Sequence, residues 1–216
     1  MPHAEANDCA KCGVRNLCFG SGLDAGQLYR LQGVNTERRH VSAGEYIYEQ
    51  NDVFKSVFVL VSGSSKSVVR SSDGSERISD VALRGDMVGV SGLVYGFMPE
   101  GQVALENLVF CVIPYQRLIR LMQHDSLIGM QFHKVAIRTA LQRQFAHLLV
   151  SNSSADRQVG GFLVWLARQL AARGQHFTDF RLPLSRGDLA NFLGIRLETV
   201  SRAFSRLAKL QLTKTQ

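Results

Sequence analysis

Residues 185–207, SRGDLANFLGIRLETVSRAFSRL, read as two short helices joined by a tight turn. Ser185 has the side chain to cap the first helix, and Asp188 stands three residues on, where a carboxylate favours a helix N-terminus. Leu189, Phe192 and Leu193 give this helix an apolar face, and Gly194 ends it in the left-handed conformation that glycine tolerates. In the second helix Leu197, Val200, Phe204 and Leu207 fall at helical spacing and are expected to pack inward. Glu198, Ser201, Arg202, Ser205 and Arg206 are left along the opposite side, as in a helix-turn-helix that offers a recognition helix to DNA.

These residue types suit base reading. An Arg can hold guanine O6 and N7 bidentately, a Glu can accept from cytosine N4, and a Ser can bond either kind of edge. A charged outer helix face is equally what a merely solvated helix pair carries, so the charge balance decides. From Arg186 onward there are six Lys/Arg (Arg186, Arg196, Arg202, Arg206, Lys209, Lys214) against Asp188 and Glu198. That excess of four is over half of the chain's net +7, as phosphate binding requires.

Working outward, 216 residues with 45% apolar content can build a core of ordinary size, here best divided into two domains. No apolar run reaches membrane-spanning length, and MPHAEANDCAKC lacks the apolar stretch of a secretory signal. The expected location is cytoplasmic, without a membrane partner, where the four cysteines are reduced thiols open to a metal or to redox chemistry.

Three of those thiols, Cys9, Cys12 and Cys18, lie in C-x2-C-x5-C spacing, and Cys111 is far downstream. Short spacings let one segment wrap several thiolates round a metal centre, and a distant fourth ligand ties that segment to the body of the fold. The motif alone suits a tetrahedral zinc site and an iron–sulfur centre equally, and a CxxC disulfide switch or unrelated thiols also match it. Lys11 and Arg15, between the cysteines, have the charge to offset a thiolate-ligated cluster, and Leu17 beside Cys18 is placed to shield it.

A short helix is predicted over about residues 23–31, followed by strands in YIYEQ, SVFVLVSG, SKSVVRSS, ERISDVAL and NLVFCVIP. Gly44, Asn51-Asp52, Gly63, Asp73-Gly74 and Gly85-Asp86 punctuate them, the pattern of an antiparallel barrel or jelly roll. Cys111 lies within the last strand, which would hold the fourth thiol rigidly. Residues 126–150 contain no proline and only Gly129, and read as one long helix. Leu127, Met130, Ile137, Leu141, Leu148 and Leu149 are expected to cover a core, and such a helix in a small protein also serves as a coiled-coil-like subunit contact. Asn152-Ser153-Ser154 is the expected hinge, and a helix over 155–173 buries Phe162, Trp165, Leu166 and Leu170.

Taken together, the cysteine set, the β-domain with its Gly85-Asp86 turn, the long helix and the Glu198-Thr199-Val200-Ser201-Arg202 run resemble the FNR group, the fumarate and nitrate reduction regulators, of the CRP/FNR superfamily. The resemblance covers essentially the whole chain. It implies an α+β protein: a cysteine-rich segment over 1–22, a β-roll or jelly-roll sensor domain over 23–125, a dimerisation helix over 126–151 and a winged helix-turn-helix domain over 152–216. It implies an oxygen-sensing transcription factor and no enzyme. A 4Fe-4S cluster on Cys9, Cys12, Cys18 and Cys111 would favour a homodimer that binds palindromic DNA, and oxygen would convert the cluster and release the DNA.

By the same resemblance Glu198, Ser201 and Arg202 would read TTGA-type half-sites, with Arg206 on the same face, and loops of the β-domain would touch RNA polymerase. The partner-facing positions of the long helix would be Ala136, Ala140, Arg143 and His147. A charge set face to face with its symmetry mate weakens a dimer, so Arg143 would keep the monomer–dimer balance close. Two departures stand out. Arg196 replaces the Ser or Thr that commonly caps the recognition helix, at a cost of roughly 1 kcal/mol, which a phosphate contact by Arg196 would offset. The sequence stops at Gln216, before the β-hairpin wing of the superfamily, and reads as a truncated form.

The competing readings are a cyclic-nucleotide regulator, a haem sensor and a zinc or thiol switch. The stretch RGDMVGVSGLVYGFMPEGQVALEN offers no Arg after Arg84 to grip a phosphate, and no histidine stands out as a haem ligand. Cys9-Ala10-Lys11-Cys12 lies in a polar terminal segment without the preceding strand that a thiol–disulfide enzyme uses.

Overall fold

The computed structural model describes residues 8–34, 37–150 and 154–210, the side chains of 145–150 excepted. The chain divides into two compact units, Met1–Ala140 and Leu141–Gln216.

The first unit is built on two four-stranded antiparallel sheets. One has the order β1 (Glu37–Val41), β8 (Leu108–Pro114), β3 (Ser56–Ser62), β6 (Met87–Val88); the other runs β2 (Tyr46–Tyr48), β7 (Gly101–Ala104), β4 (Ser65–Arg70), β5 (Glu76–Ala82). This is the expected β-roll. Strands β1, β6 and β7 were not legible in the sequence, and neither were α2 (Gly92–Tyr95) and α3 (Tyr115–His124).

Strands β3 and β8 read as unbroken apolar runs because both of their faces are covered. Phe58, Leu60, Phe110 and Val112 point between the sheets, where they join Tyr48, Ala82, Val88, Met98 and Leu108. Val57, Val59, Cys111 and Ile113 alternate to the other face and pack with Leu28 and Leu31 of α1 (Ala25–Val34), Leu118 of α3, and Ile128, Phe132 and Val135 of α4 (Ser126–Val150). Cys111 is therefore carried on the helix-covered side of the sheet.

The polar groups enclosed in the roll satisfy one another. Tyr48 Oη and Ser67 Oγ donate to Gln102 Oε1 at 3.3 and 2.8 Å, and Gln102 Nε2 donates to Ser65 Oγ at 2.7 Å. Asp125, the residue that ends α3, links three helices: its amide donates to Leu121 O of α3, and its carboxylate accepts from Gln27 Nε2 at 3.1 Å and Arg30 at 2.6 Å in α1, and from the Leu127 and Ile128 amides that open α4.

The long helix differs from expectation in its facing. Ile128, Phe132 and Val135 are its core residues, whereas Met130, Ile137 and Leu141 are 45%, 60% and 58% exposed. The first set is spaced by four and three residues and the second by seven and four, all close to whole helical turns, so periodicity identifies two apolar stripes without saying which one the roll covers.

In the second unit α5 (Ala155–Ala172) buries Val159, Phe162, Trp165 and Leu166, and Phe162 packs edge-on to Phe192 at 5.5 Å. Helix α6 (Arg186–Leu193) starts with the expected capping box: Asp188 N donates to Ser185 Oγ at 3.0 Å, and the Asp188 side chain accepts in return from Ser185 N. Gly194 closes it at φ 67°. Helix α7 (Leu197–Lys209) buries Val200 and Ala203; Leu197 is 47% exposed instead of inward-facing, and Phe204 and Leu207 are half-buried. The anticipated hinge at 152–154 and the end of the chain at 211–216 lie largely or wholly outside the described residues.

Candidate metal centre and nucleic-acid interface

The three clustered cysteines are held by turns, not by regular structure. Arg15 N bonds to Cys12 O, and Leu17 N and Cys18 N both bond to Val14 O, so residues 12–18 coil tightly. Val14, Phe19 and Leu23 are buried and pin the coil to the apolar face of the sheet. Guanidinium groups from separate elements fix it further: Arg84 donates to Gly13 O at 2.8 Å, and Arg138 of α4 donates to Leu17 O.

All four thiols line one cavity of about 30 Å³, more room than a single water needs. Its other walls are Val14, Arg15, Phe19, Leu28, Leu31, Arg38, Val59 and Ile113. Leu17, expected as a shield, is not among them and packs instead on the Gly85 turn. Lys11 is also turned away, with its side chain 88% exposed and paired with Asp8. The thiols share a void rather than a point: among the described residues no three His, Cys, Asp or Glu side chains form a group that could hold a metal ion as they stand.

Burial is the largest influence on the Cys9 and Cys18 sulfurs. It pushes Cys9 up to about 12, the proximity of Cys111, Cys18 and Cys12 adding to the effect while Arg38 opposes it. It pushes Cys18 up to about 11, against the Gly20 amide that donates to its Sγ at 3.3 Å. Thiols raised in this way stay protonated at neutral pH, and a metal centre bound there would displace their protons.

Arg38 was missed in the sequence. It lies on β1 directly opposite Cys111 on β8, so strand register puts the two side chains on one face. Its terminal nitrogen donates to Cys12 Sγ at 3.4 Å, and it also bonds to Cys111. The signal was present only as a charged residue in ERRHV, a segment too polar to be read as a strand.

In the second unit Glu198 and Arg202 are exposed on α7 and Ser201 is half-buried. Arg196 occupies the N-cap of α7 and makes no side-chain cap. Arg206 is exposed but forms a bidentate pair with Asp156 of α5, at 2.5 to 3.0 Å. Arg186 lies over the Phe204 ring at 5.6 Å.

Of the four positions expected to face a partner, Ala140 is exposed, Arg143 is half-buried and Ala136 packs partly against its own core. The side chain of His147 lies outside the described residues. Among the described residues no helix is long and apolar enough to cross a membrane.

Comparison with known proteins matches residues 38–125 to the cyclic nucleotide-binding domain and residues 157–216 to the Crp-like helix-turn-helix domain. The chain is 33% identical to the transcriptional activator protein Anr of Pseudomonas protegens over 97% of its own length and 86% of that protein. It is 30% identical to the fumarate and nitrate reduction regulatory protein of Escherichia coli K12 over 93% of its length and 80% of that protein. The solved structure of FixK2 from Bradyrhizobium japonicum superposes with a TM-score of 0.74 at 25% identity, covering 85% of this chain and 89% of that one.

Proposed function

Because this chain belongs to the CRP/FNR family of transcriptional regulators, and is not an enzyme, we propose that it senses oxygen through a 4Fe-4S cluster held by Cys9, Cys12, Cys18 and Cys111. The observation that carries the reading is the convergence of all four cysteines, three of them 93 or more residues before the fourth (111 − 18 = 93), on one cavity. When bound, such a cluster supplies an oxidisable centre. The chain's own part is to fix Cys111 on a doubly covered strand, to coil the other three thiols over it, and to exclude bulk water with Val14, Phe19, Leu28 and Leu31.

Cluster assembly would favour a homodimer along the outward stripe of α4, in which Met130, Ile137, Ala140 and Leu141 offer apolar surface. Glu198, Ser201 and Arg202 would read TTGA-type half-sites from the open side of α7, and Arg196 would contact phosphate. Arg206 plays a different part in this reading: its carboxylate partner on α5 makes it an orienting residue for α7 first. Contact with RNA polymerase by loops of the roll rests on the family relationship.

One observation favours a second reading, a cyclic-nucleotide-responsive regulator: the family model matched over residues 38–125 is the cyclic nucleotide-binding domain. Against it, Gln102, Ser65, Ser67 and Tyr48 fill and satisfy the roll interior, and the buried Glu100 accepts from Ser79 and Ser91 hydroxyls. Anaerobic purification followed by iron and sulfide analysis separates the readings. The proposal expects about four of each per chain and palindrome binding that is lost in air; a colourless, zinc-loaded or nucleotide-dependent protein contradicts it.

A further inference from the structure

We propose that Arg38, assisted by Arg15, is a positioning residue of the four-cysteine centre that selects a sulfide-bearing guest, which supplies hydrogen-bond acceptors, over a lone divalent cation, which supplies none. This rests on the reading of the cavity as a cluster site and adds the two side chains that make the site specific.

Three observations converge on the two arginines. Both line the cavity with the four thiols. The outer end of each is engaged, Arg38 at Cys12 Sγ at 3.4 Å and Arg15 at Leu23 O at 3.0 Å. The Nε–H of each is nonetheless buried without an acceptor among the described residues.

A buried donor left unpaired is costly, and a guanidinium cannot escape that cost by giving up its proton. The cavity walls otherwise consist of apolar side chains and sulfur, so the missing acceptor has to arrive with the guest. A single divalent ion held by the same four thiolates has the same net charge as a 4Fe-4S core held by them, so charge does not separate the two guests; the ion, however, brings no acceptor of its own. An iron–sulfur core brings inorganic sulfides with free lone pairs, the acceptors that the two unpaired Nε–H groups lack. Arginine suits that partner: it stays charged when desolvated, and its donors are spread in a fork wide enough to serve a ligand thiolate and a sulfide together.

The placement also follows from the fold. Arg38 owes its position to strand register with Cys111, and Arg15 to the coil between Cys12 and Cys18.

The test uses the full chain, reconstituted without oxygen from ferrous iron and sulfide, as wild type, Arg38→Lys, Arg38→Gln, Arg38→Met and Arg15→Met/Arg38→Met. Iron and sulfide per chain and the rate of iron loss to a chelator are measured at low and high salt, and zinc affinity is measured in parallel on the metal-free proteins. The expectation is wild-type folding by thermal midpoint and at least tenfold faster iron loss in Arg38→Met. Arg38→Lys should recover part of the resistance, the double variant should be worse than Arg38→Met, and zinc affinity should be unchanged or higher. Equal chelator resistance in wild type and Arg38→Met, or a parallel loss of zinc and iron, overturns the inference and leaves the cluster reading standing. A wild type that takes up no iron and sulfide overturns both. Should Arg38→Met fail to fold, Arg38→Gln, which keeps a donor but not the charge, is read by the same criteria.

Discussion

Asp125 shows how much one side chain can organise. Its carboxylate closes α1 onto the start of α4, and the Arg30 guanidinium, followed by the Ile128 amide and the Gln27 side chain, holds it below the usual carboxylate range against an opposing contribution from burial. A carboxyl depressed in the folded state contributes stability above its unfolded value, near 3.9, and loses it as pH falls through the folded value. Asp125→Asn should therefore lower the urea midpoint at pH 7, and the gap to wild type should narrow below about pH 4. An equal gap at pH 7 and pH 3 would show that the charge is not responsible. Gly85 makes a second case. It stands at φ 89°, and a Cβ built there lies 2.5 Å from Leu17 Cβ, which has no flexible end to swing away. Gly85→Ala should cost on the order of 1–3 kcal/mol in chemical denaturation and displace the cysteine coil, seen as faster iron loss from reconstituted protein. Unchanged stability and unchanged retention together would argue that the turn and the coil are independent.

At the scale of elements, the helices with chemical punctuation were readable in the sequence. Ser185, Asp188 and Gly194 form the cap, capping box and stop expected of them, because those contacts span only three or four residues. Helix α7 has the opposite feature, an N-cap Arg196 that caps nothing. Arg196→Thr should stabilise the second unit by about 1 kcal/mol in thermal unfolding while weakening DNA binding in a salt-dependent way; improved stability with unchanged affinity would remove Arg196 from the phosphate contacts. What escaped the sequence was set by distant partners. ERRHV is a strand because β8 supplies its hydrogen bonds, and α4 turns Ile128, Phe132 and Val135 inward because the roll lies on that side. Arg38 became part of the site only through that pairing. The hydrogen bond from Arg138 on α4 to Leu17 O ties the thiol segment directly to the long helix. Arg138→Gln should raise amide exchange over residues 9–23 severalfold, with cysteine content and helix α4 intact; protection equal to wild type would show that the coil holds itself.

For the whole molecule, the proposed regulator would couple a guest in the four-cysteine cavity of the first unit to DNA binding by the second. A guest can shift the monomer–dimer balance only by contacts that differ between the two states. The thiol coil is placed to make such contacts, since it touches the sheet, the Gly85 turn and α4. The cysteine motif, the long helix and the recognition helix could be read from the sequence because each is local. The cavity could not, since it is assembled from β1, β3, β8, α1 and the coil. The most direct measurement of the central claim is sedimentation of wild type and Cys111→Ser with a palindromic duplex, prepared without oxygen and then exposed to air. The account predicts that wild type sediments as a DNA-bound dimer that dissociates in air, and that Cys111→Ser stays monomeric and unbound throughout. A Cys111→Ser protein that still forms an air-sensitive, duplex-bound dimer would contradict it.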